Sequence, residues 1–542
     1  MPPTTDTAPV TSVDVGALAL ERQDLESAYW QDIVPLRGGS AKMRAAGQRL
    51  LPFREREESA QWERRRAAAF LDPYYDDAIT QAAARPFAKA VSIRGDLPPE
   101  LEMIPKDVDR HGTELTVFAH DVYDGGLDFG MWHVFVDFPD LGLEPLSVAE
   151  EQLLRARPVF LHVSPPNLRG ASFEFLPNGE ELMASCRIRD DYLRPTVKSR
   201  WTQEKIKRVR VFYAPRPANP NKDALLVYAR FRNEEIRYED FVALGGRPGA
   251  VETWEKGPED KEYVLQHARP FTYPGLPLFT FCTGYRGRLE AQPFFWKIAE
   301  LNIAHWQFSS VHHSYVDMIQ VGGWVRKGAA MGKTEPIEFG HKRVIDLPAE
   351  QDLAPLEHEG KAYEAGKDYK RALEQRMKEL STQLFLENRP ADITATGDVI
   401  RDAKNQSTMQ QQVRSLENVL GLCFKAAATW LNVNRPTGAS APIVLDKDFA
   451  VDIASDQSLG VFSAQEAEAL FRDVDAEHIT VETYLGERKR RGGYPDDFDP
   501  AEEARKVAVQ RRRRLAEAAP EEDEDEEPEE EEAEEKEEAV AA

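Results

Sequence analysis

The chain has 542 residues, 42% of them hydrophobic, with 69 basic against 94 acidic side chains and a formal net charge of −25. That length and apolar share suffice for several compact units with a buried core. The acid excess excludes a broad basic surface that grips phosphates along its length.

Residues 1–20 read as a mobile arm, followed over 21–90 by short Ala-, Arg- and Glu-rich helices with turns at Leu36–Gly39 and Leu51-Pro52. Residues 110–124 form the next helix, with an apolar stripe at Leu115, Phe118, Ala119 and Val122. His133–Phe138 is a strand closed by Pro139. From Arg157 to Thr283 the texture is β-rich, with strands expected at PVFLHV, RVRVFYA and ALLVYARF between Pro, Gly and Asn turns.

The stretch from Gln292 to Met318 is a long helix, roughly 40 Å at about 1.5 Å per residue. Phe294, Ile298, Leu301, His305, Phe308, His312, Tyr315 and Ile319 recur in steps of four and three and make one seam. Trp296, Ile303, Trp306, Val311 and Val316 occupy its other faces. A helix apolar on several faces must be covered on several faces, and neighbouring copies in a ring are the expected cover.

Residues 320–360 mix Gly, Pro and short β-prone runs and form a small insert. Helix follows over 361–387, with a stripe at Tyr369, Leu373, Met377, Leu380 and Leu384. After a loop, a third helix over 403–431 carries Met409, Val413, Leu416, Leu420, Cys423, Ala427 and Trp430 on one side. A short strand is expected at PIVLDKDF. A capping-box start at Ser463–Glu466 opens a further helix. Residues 500–518 form a basic helix. The sequence Glu521–Ala542 holds 15 acidic residues and one lysine, leaving −11 of the −25 for residues 1–520. Such a polyanion is expected to be disordered. No internal repeat is found.

Motifs for chemistry are sparse. Gly328–Thr334, GAAMGKT, approaches a phosphate-binding loop, but its first glycine is one residue too close, and Pro336 biases Glu335 away from the helix the motif should open. His305, His312 and His313 lack metal-ligand spacing and are expected to pack as seam residues. Asp107, Asp109 and His111 could bind a metal, but a polar turn capping the next helix is preferred. Cys186, Cys282 and Cys423 are far apart without C-x-x-C, against a disulfide framework or zinc knuckle and in keeping with a reducing compartment. The opening residues lack a secretion-signal pattern, and no apolar run approaches about 18 residues, so no membrane span is expected. No catalytic residue, cofactor site or metal site is expected. Three basic runs remain. Lys205–Arg210 alternates with apolar residues like the solvated face of a strand. Arg488–Arg491 and Arg511–Arg514 could meet nucleic acid or partner proteins, or pair with the acidic tail.

Taken in order, several segments resemble a family of tailed-bacteriophage portal proteins long known only as a phage domain of unknown function. They are AYWQDIVPLRGGSAKMRAAGQRLLPF, DVDRHGTELTVFAHDV, GMWHVFVDFP, RPVFLHVSPPNL, AELNIAHWQFSS, LDKDFA and SAQEAEALFRD, spread over most of 25–475. The resemblance implies an α+β portal fold and a ring, usually of twelve subunits, at one capsid vertex, through which double-stranded DNA is packaged and later ejected. The chain would then divide into an arm (1–20), a wing (21–290), a first stem helix (291–319), a clip (320–360), a second stem helix (361–387), a channel loop (388–402), a long wing helix with its return strand (403–460), a crown-like helical region (461–518) and an acidic tail (519–542). The stem seam would serve the oligomer. Trp324, Arg326, Lys327 and Lys333 of the clip would face the terminase large subunit and then the head–tail adaptor. Arg389, Arg401 and Lys404 would face DNA at the channel loop. Major capsid and scaffold proteins would be further partners, in the virion and, during assembly, the host cytoplasm. The alternatives are an ATPase or nuclease of the packaging machinery, or another capsid or scaffold component. A hydrophobic strand ending in Asp-Glu, which an ATPase would need, is lacking.

Overall fold

A computed structural model of the chain describes residues 21–139, 156–196, 199–217, 221–257, 262–321, 323–327, 352–356, 361–382, 395–433, 442–453, 471–472, 474, 476, 478–490, 494 and 498–517. The arm, Leu384, the capping box at Ser463–Glu466 and the acidic tail lie outside these residues. The chain divides into two units, Met1–Ser455 and Asp456–Ala542. The fold is α+β.

The first unit opens with four helices, α1 (Glu21–Arg37), α2 (Gly39–Ala45), α3 (Ser59–Ala68) and α4 (Tyr74–Ala84). Strand β1 (Ser92–Arg94) and helix α5 (Leu115–Phe129) follow. The expected α5 stripe is buried at all four positions. Helix α5 ends at Gly130, whose φ of +81° is left-handed. A Cβ there would lie 2.4 Å from the Gln292 carbonyl oxygen, so only glycine fits.

Strands β2 (Met131–Asp137) and β3 (Val159–Val163) pair antiparallel, with His133 opposite Val163. A second sheet contains β4 (Leu168–Phe175), β5 (Glu181–Arg189), β6 (Tyr192–Thr196) and the 15-residue β7 (Ser199–Tyr213). Strand β7 pairs with β6 through its first half and with β5 through its second.

The segment ALLVYARF, expected as a strand, is instead part of helix α6 (Lys222–Arg232). Asn221 caps it by accepting the Ala224 N–H at 2.8 Å, and Arg230 and Arg232 lie in its last turn. Tyr228 and Phe231, three residues apart, are buried on one face. Phe231 stacks on Phe241 of helix α7 (Tyr238–Ala243), centroids 4.4 Å apart. Branched and aromatic residues gave this segment a strand-like composition; the cap and the paired rings decide otherwise.

Strands β8 (Gly249–Lys256) and β9 (Val264–Phe271) complete the second sheet, in the order β4-β5-β7-β8-β9 with β6 beside β7. Strand β10 (Leu278–Cys282) joins β2, making the three-stranded order β10-β2-β3. A small ribbon of β11 (Tyr285–Gly287) and β12 (Glu290–Ala291) precedes the long helix α8 (Trp296–Val321). Strands β13 (Gly323–Lys327) and β14 (Asp352–Leu356) pair antiparallel between α8 and helix α9 (Lys361–Thr382).

Helix α10 runs from Ala395 to Val433, 39 residues or about 58 Å. It begins well before the expected start at 403, so the loop 388–402 is shorter at its C-terminal end. Its stripe from Val413 to Trp430 is buried and covers the β10-β2-β3 sheet. Phe424 meets Phe160 edge-on at 5.5 Å, and Trp430 Nε1–H donates to the Val136 carbonyl at 2.8 Å. No strand forms at PIVLDKDF. Strand β15 (Ala450–Asp452) lies just beyond and pairs with β1, Arg94 opposite Ala450, and Arg94 reaches diagonally to Asp452 in a salt bridge of 2.6 Å.

In the second unit, helix α12 (Pro500–Glu517) occupies the expected basic helix, and helix α11 (Val481–Arg490), which was not expected as a separate helix, precedes it. Arg488 lies over the rings of Tyr484 and Tyr494, at 5.9 and 5.4 Å.

Candidate functional site

Helices α8 and α9 pack antiparallel. Moving along α8, His305 meets Glu374, Phe308 meets Tyr369 edge-on at 4.8 Å, and His312 stacks on Tyr363 at 5.1 Å. Gly366 permits this approach, since a Cβ there would stand 3.0 Å from His312 Nδ1. Burial, followed by the Lys370 ammonium, holds the His312 imidazole below its ordinary pKa.

The other side of α8 is covered by residues 21–84. Trp296 meets Tyr29 edge-on at 4.5 Å. Gln307 donates to the Leu50 carbonyl at 3.1 Å, and Arg65 donates to Ser310 Oγ at 3.2 Å while chelating Glu57. Trp306 is fully buried. The expectation that sister copies cover this helix is therefore corrected: from Trp296 to about His312, elements of the same chain do so. Of the seam residues, Phe294 precedes the helix and packs against Phe295. Ile298 is buried and Leu301 half-buried. His305, Phe308 and His312 face α9, and the side chains of Tyr315 and Ile319 lie outside the described residues.

One polar constellation forms where the two helices meet the loop before α4. His305 Nε2 lies 3.3 Å from Glu374 Oε1 and 3.7 Å from Asp72 Oδ2. The three ligand-capable atoms fall within 4.8 Å of one another. Lys370 Nζ stands 3.6 and 3.8 Å from the same two carboxylates. Tyr74 closes the cluster with its ring edge on the imidazole at 5.7 Å. His305 is fully buried and its Nδ1 has no partner. Burial holds the His305 imidazole below its ordinary range; the hydrogen bond to Glu374 opposes this and the Lys370 charge reinforces it. Burial, with the charges of Glu374 and Asp72, raises the Tyr74 phenol.

From the sequence, His305 is weighed as a metal ligand and set aside as a packed seam residue, and its partners are missed. Lys370 and Glu374 are four apart beside the α9 stripe, a spacing that marks a helical ion pair. Asp72 precedes Pro73 at the start of α4, where an acidic residue reads as ordinary end-of-helix chemistry.

The remaining candidates are dispersed. Asp109 accepts from the His111 N–H and the Thr113 hydroxyl, both at 2.8 Å. Asp107 accepts from the Gly112 N–H at 2.9 Å and pairs with Arg157 at 2.7 Å. These carboxylates close the turn before α5. Within Lys205–Arg210 the solvated-strand reading holds for Lys205 and Lys207, which are exposed, but needs correcting for two arginines. Arg208 pairs with Asp190 at 2.5 Å, and Arg210 with Asp137 at 2.6 Å. Trp324, Arg326 and Lys327 lie on β13, opposite Pro355, Leu353 and Asp352. Arg401 and Lys404 lie on α10 rather than on a loop. Arg389, Lys333 and the whole GAAMGKT segment lie outside the described residues. No helix among the described residues is long and apolar enough to cross a membrane.

A family profile described as a domain of unknown function (DUF4055) matches residues 295–431, a span that includes α8, strands β13 and β14, α9 and most of α10. No curated protein matches the chain. Among solved structures, a chain of the "virion of native gene transfer agent (GTA) particle" is similar at 12% identity and a TM-score of 0.35, over 78% of this chain and 90% of that one.

Proposed function

We propose that this chain is the portal subunit of a tailed bacteriophage. Copies form a ring, dodecameric in this reading, at one capsid vertex. Double-stranded DNA is packaged and ejected through it, and the terminase motor and then the neck or tail adaptor dock on it. The observation that carries the reading is the ordered set of resembling segments. Six of the seven lie on α1–α2, the turn into α5 and α5 itself, β2, β3 and the N-terminal half of α8, with LDKDFA running into β15, and most of SAQEAEALFRD lies outside the described residues.

The α8–β13–β14–α9 unit supports the assignment of stem and clip. It has two antiparallel helices, with a two-stranded ribbon between them in sequence. From Trp296 to about His312 the apolar faces of α8 do not argue for a ring, because the same chain covers them. Contacts between copies then fall to surfaces left exposed in one chain. Head-to-tail contacts that close make rings.

A conduit must let DNA slide, and an acid excess outside the tail suits that, since dense phosphate contacts would act as a brake. In this reading Arg389, Arg401 and Lys404 make the brief phosphate contacts, and Trp324, Arg326, Lys327 and Lys333 meet the motor and adaptor. The chain performs no catalytic step itself. ATP turnover by the purified protein would contradict that. Negative-stain images of the full-length chain test the whole reading: rings with a central hole support it, and single compact particles oppose it.

A further inference from the structure

We propose that Asp72, His305 and Glu374 form a binding site for one divalent transition ion, of the Zn2+ class, joining the loop before α4 to α8 and α9. The proposal does not rest on the portal reading.

The geometry is close to what such an ion requires. Ligand atoms about 2.1 Å from a tetrahedral ion stand about 3.4 Å from one another. The imidazole-to-carboxylate separations here are 3.3 and 3.7 Å. The three ligands come from separate elements, so the backbone already supplies the convergence. One imidazole with two carboxylates suits a borderline first-row ion, whereas Ca2+ and Mg2+ favour all-oxygen shells.

A second observation concerns His305. It is fully buried, one ring nitrogen has no partner, and the other makes only a 3.3 Å contact. A buried imidazole so poorly satisfied is costly as mere packing. A metal bond at Nε2, the nitrogen that faces both carboxylates, would replace that one long contact, while Nδ1 would still carry its proton without a partner.

Lys370 holds the place of the cation loosely. Its Nζ stands beyond hydrogen-bond distance of both carboxylates. Its side chain is 32% exposed, so it can swing toward solvent as an ion enters. The ion then takes three protein ligands and completes its shell with water.

The test is a ZnCl2 titration of the full-length chain by calorimetry, with X-ray absorption of the loaded protein and circular dichroism to confirm folding. Wild type should bind one ion per chain through nitrogen and oxygen ligands. Glu374→Gln should weaken binding by at least about tenfold, the scale on which lost metal-site partners act. Lys370→Met, which removes the competing ammonium from a partly exposed position, should tighten it. Lack of a stoichiometric site in wild type, sulfur ligation, or an affinity unmoved by both variants would overturn the proposal.

Discussion

Asn302, in the second turn of α8, holds the start of α4 through Tyr75. Its side-chain oxygen accepts the buried Tyr75 N–H at 3.0 Å, and its amide donates to the neighbouring Asp72 carbonyl at 2.9 Å. The Tyr75 N–H would otherwise be orphaned, whereas the Asp72 carbonyl also accepts the Tyr74 N–H at 3.0 Å. Each unmade buried hydrogen bond costs about 1–3 kcal/mol. Asn302→Ala should therefore lower the unfolding free energy by about 1–3 kcal/mol, read from the shift in the urea midpoint. A change near zero would mean that α8 is not anchored there.

Gly126 sets how closely α5 approaches the sheet. A Cβ at this position would lie 2.3 Å from the ring of buried Phe281. Alanine improves helix propensity by up to about 1 kcal/mol, whereas overpacking costs about 1–3 kcal/mol. Gly126→Ala should destabilise, and adding Phe281→Leu should recover part of the loss. The double-variant cycle measures this; independent, additive effects would contradict it.

Asp128 makes stability depend on pH. It is buried beside Arg37 and accepts the Tyr75 hydroxyl at 2.9 Å. Burial pushes its carboxyl up to about 7, against the opposing pull of Arg37 and Tyr75. An unfolded aspartate titrates near 3.9. The folded state therefore holds this proton more tightly. The contribution is full below about pH 4 and is lost as pH rises through about 7. Asp128→Asn mimics the protonated form, so its stability relative to wild type should be more favourable at pH 8 than at pH 5. Denaturation at both pH values measures the difference, and an equal offset would contradict it.

Periodicity reported the helices well where one face meets one partner layer. The stripes of α5 and α10 repeat every three or four residues because each lies on the same small sheet, and that repeat survives in the residues alone. Helix α8 shows why the rest was hidden. Its apolarity on several faces is plain, but its cover comes from short helices more than two hundred positions earlier, and nothing local names them. Asp72 and Glu374 are likewise remote from His305, so their convergence is a tertiary fact. In α6, the Asn221 cap was a local signal that the strand-like run beside it outweighed.

Replacing Arg389, Arg401 and Lys404 together with alanine removes three charges assigned to the DNA path. Rings should still form, and DNA packaged per particle in an assembly assay should fall. Unaltered packaging would remove these residues from the DNA path.

The native mass of the purified full-length chain, followed from nanomolar to micromolar concentration, decides whether copies close into a ring. The portal reading requires a discrete species near twelve times 61.3 kDa, seen by microscopy as a ring around a hole. A particle that stays at 61.3 kDa across that range would contradict it.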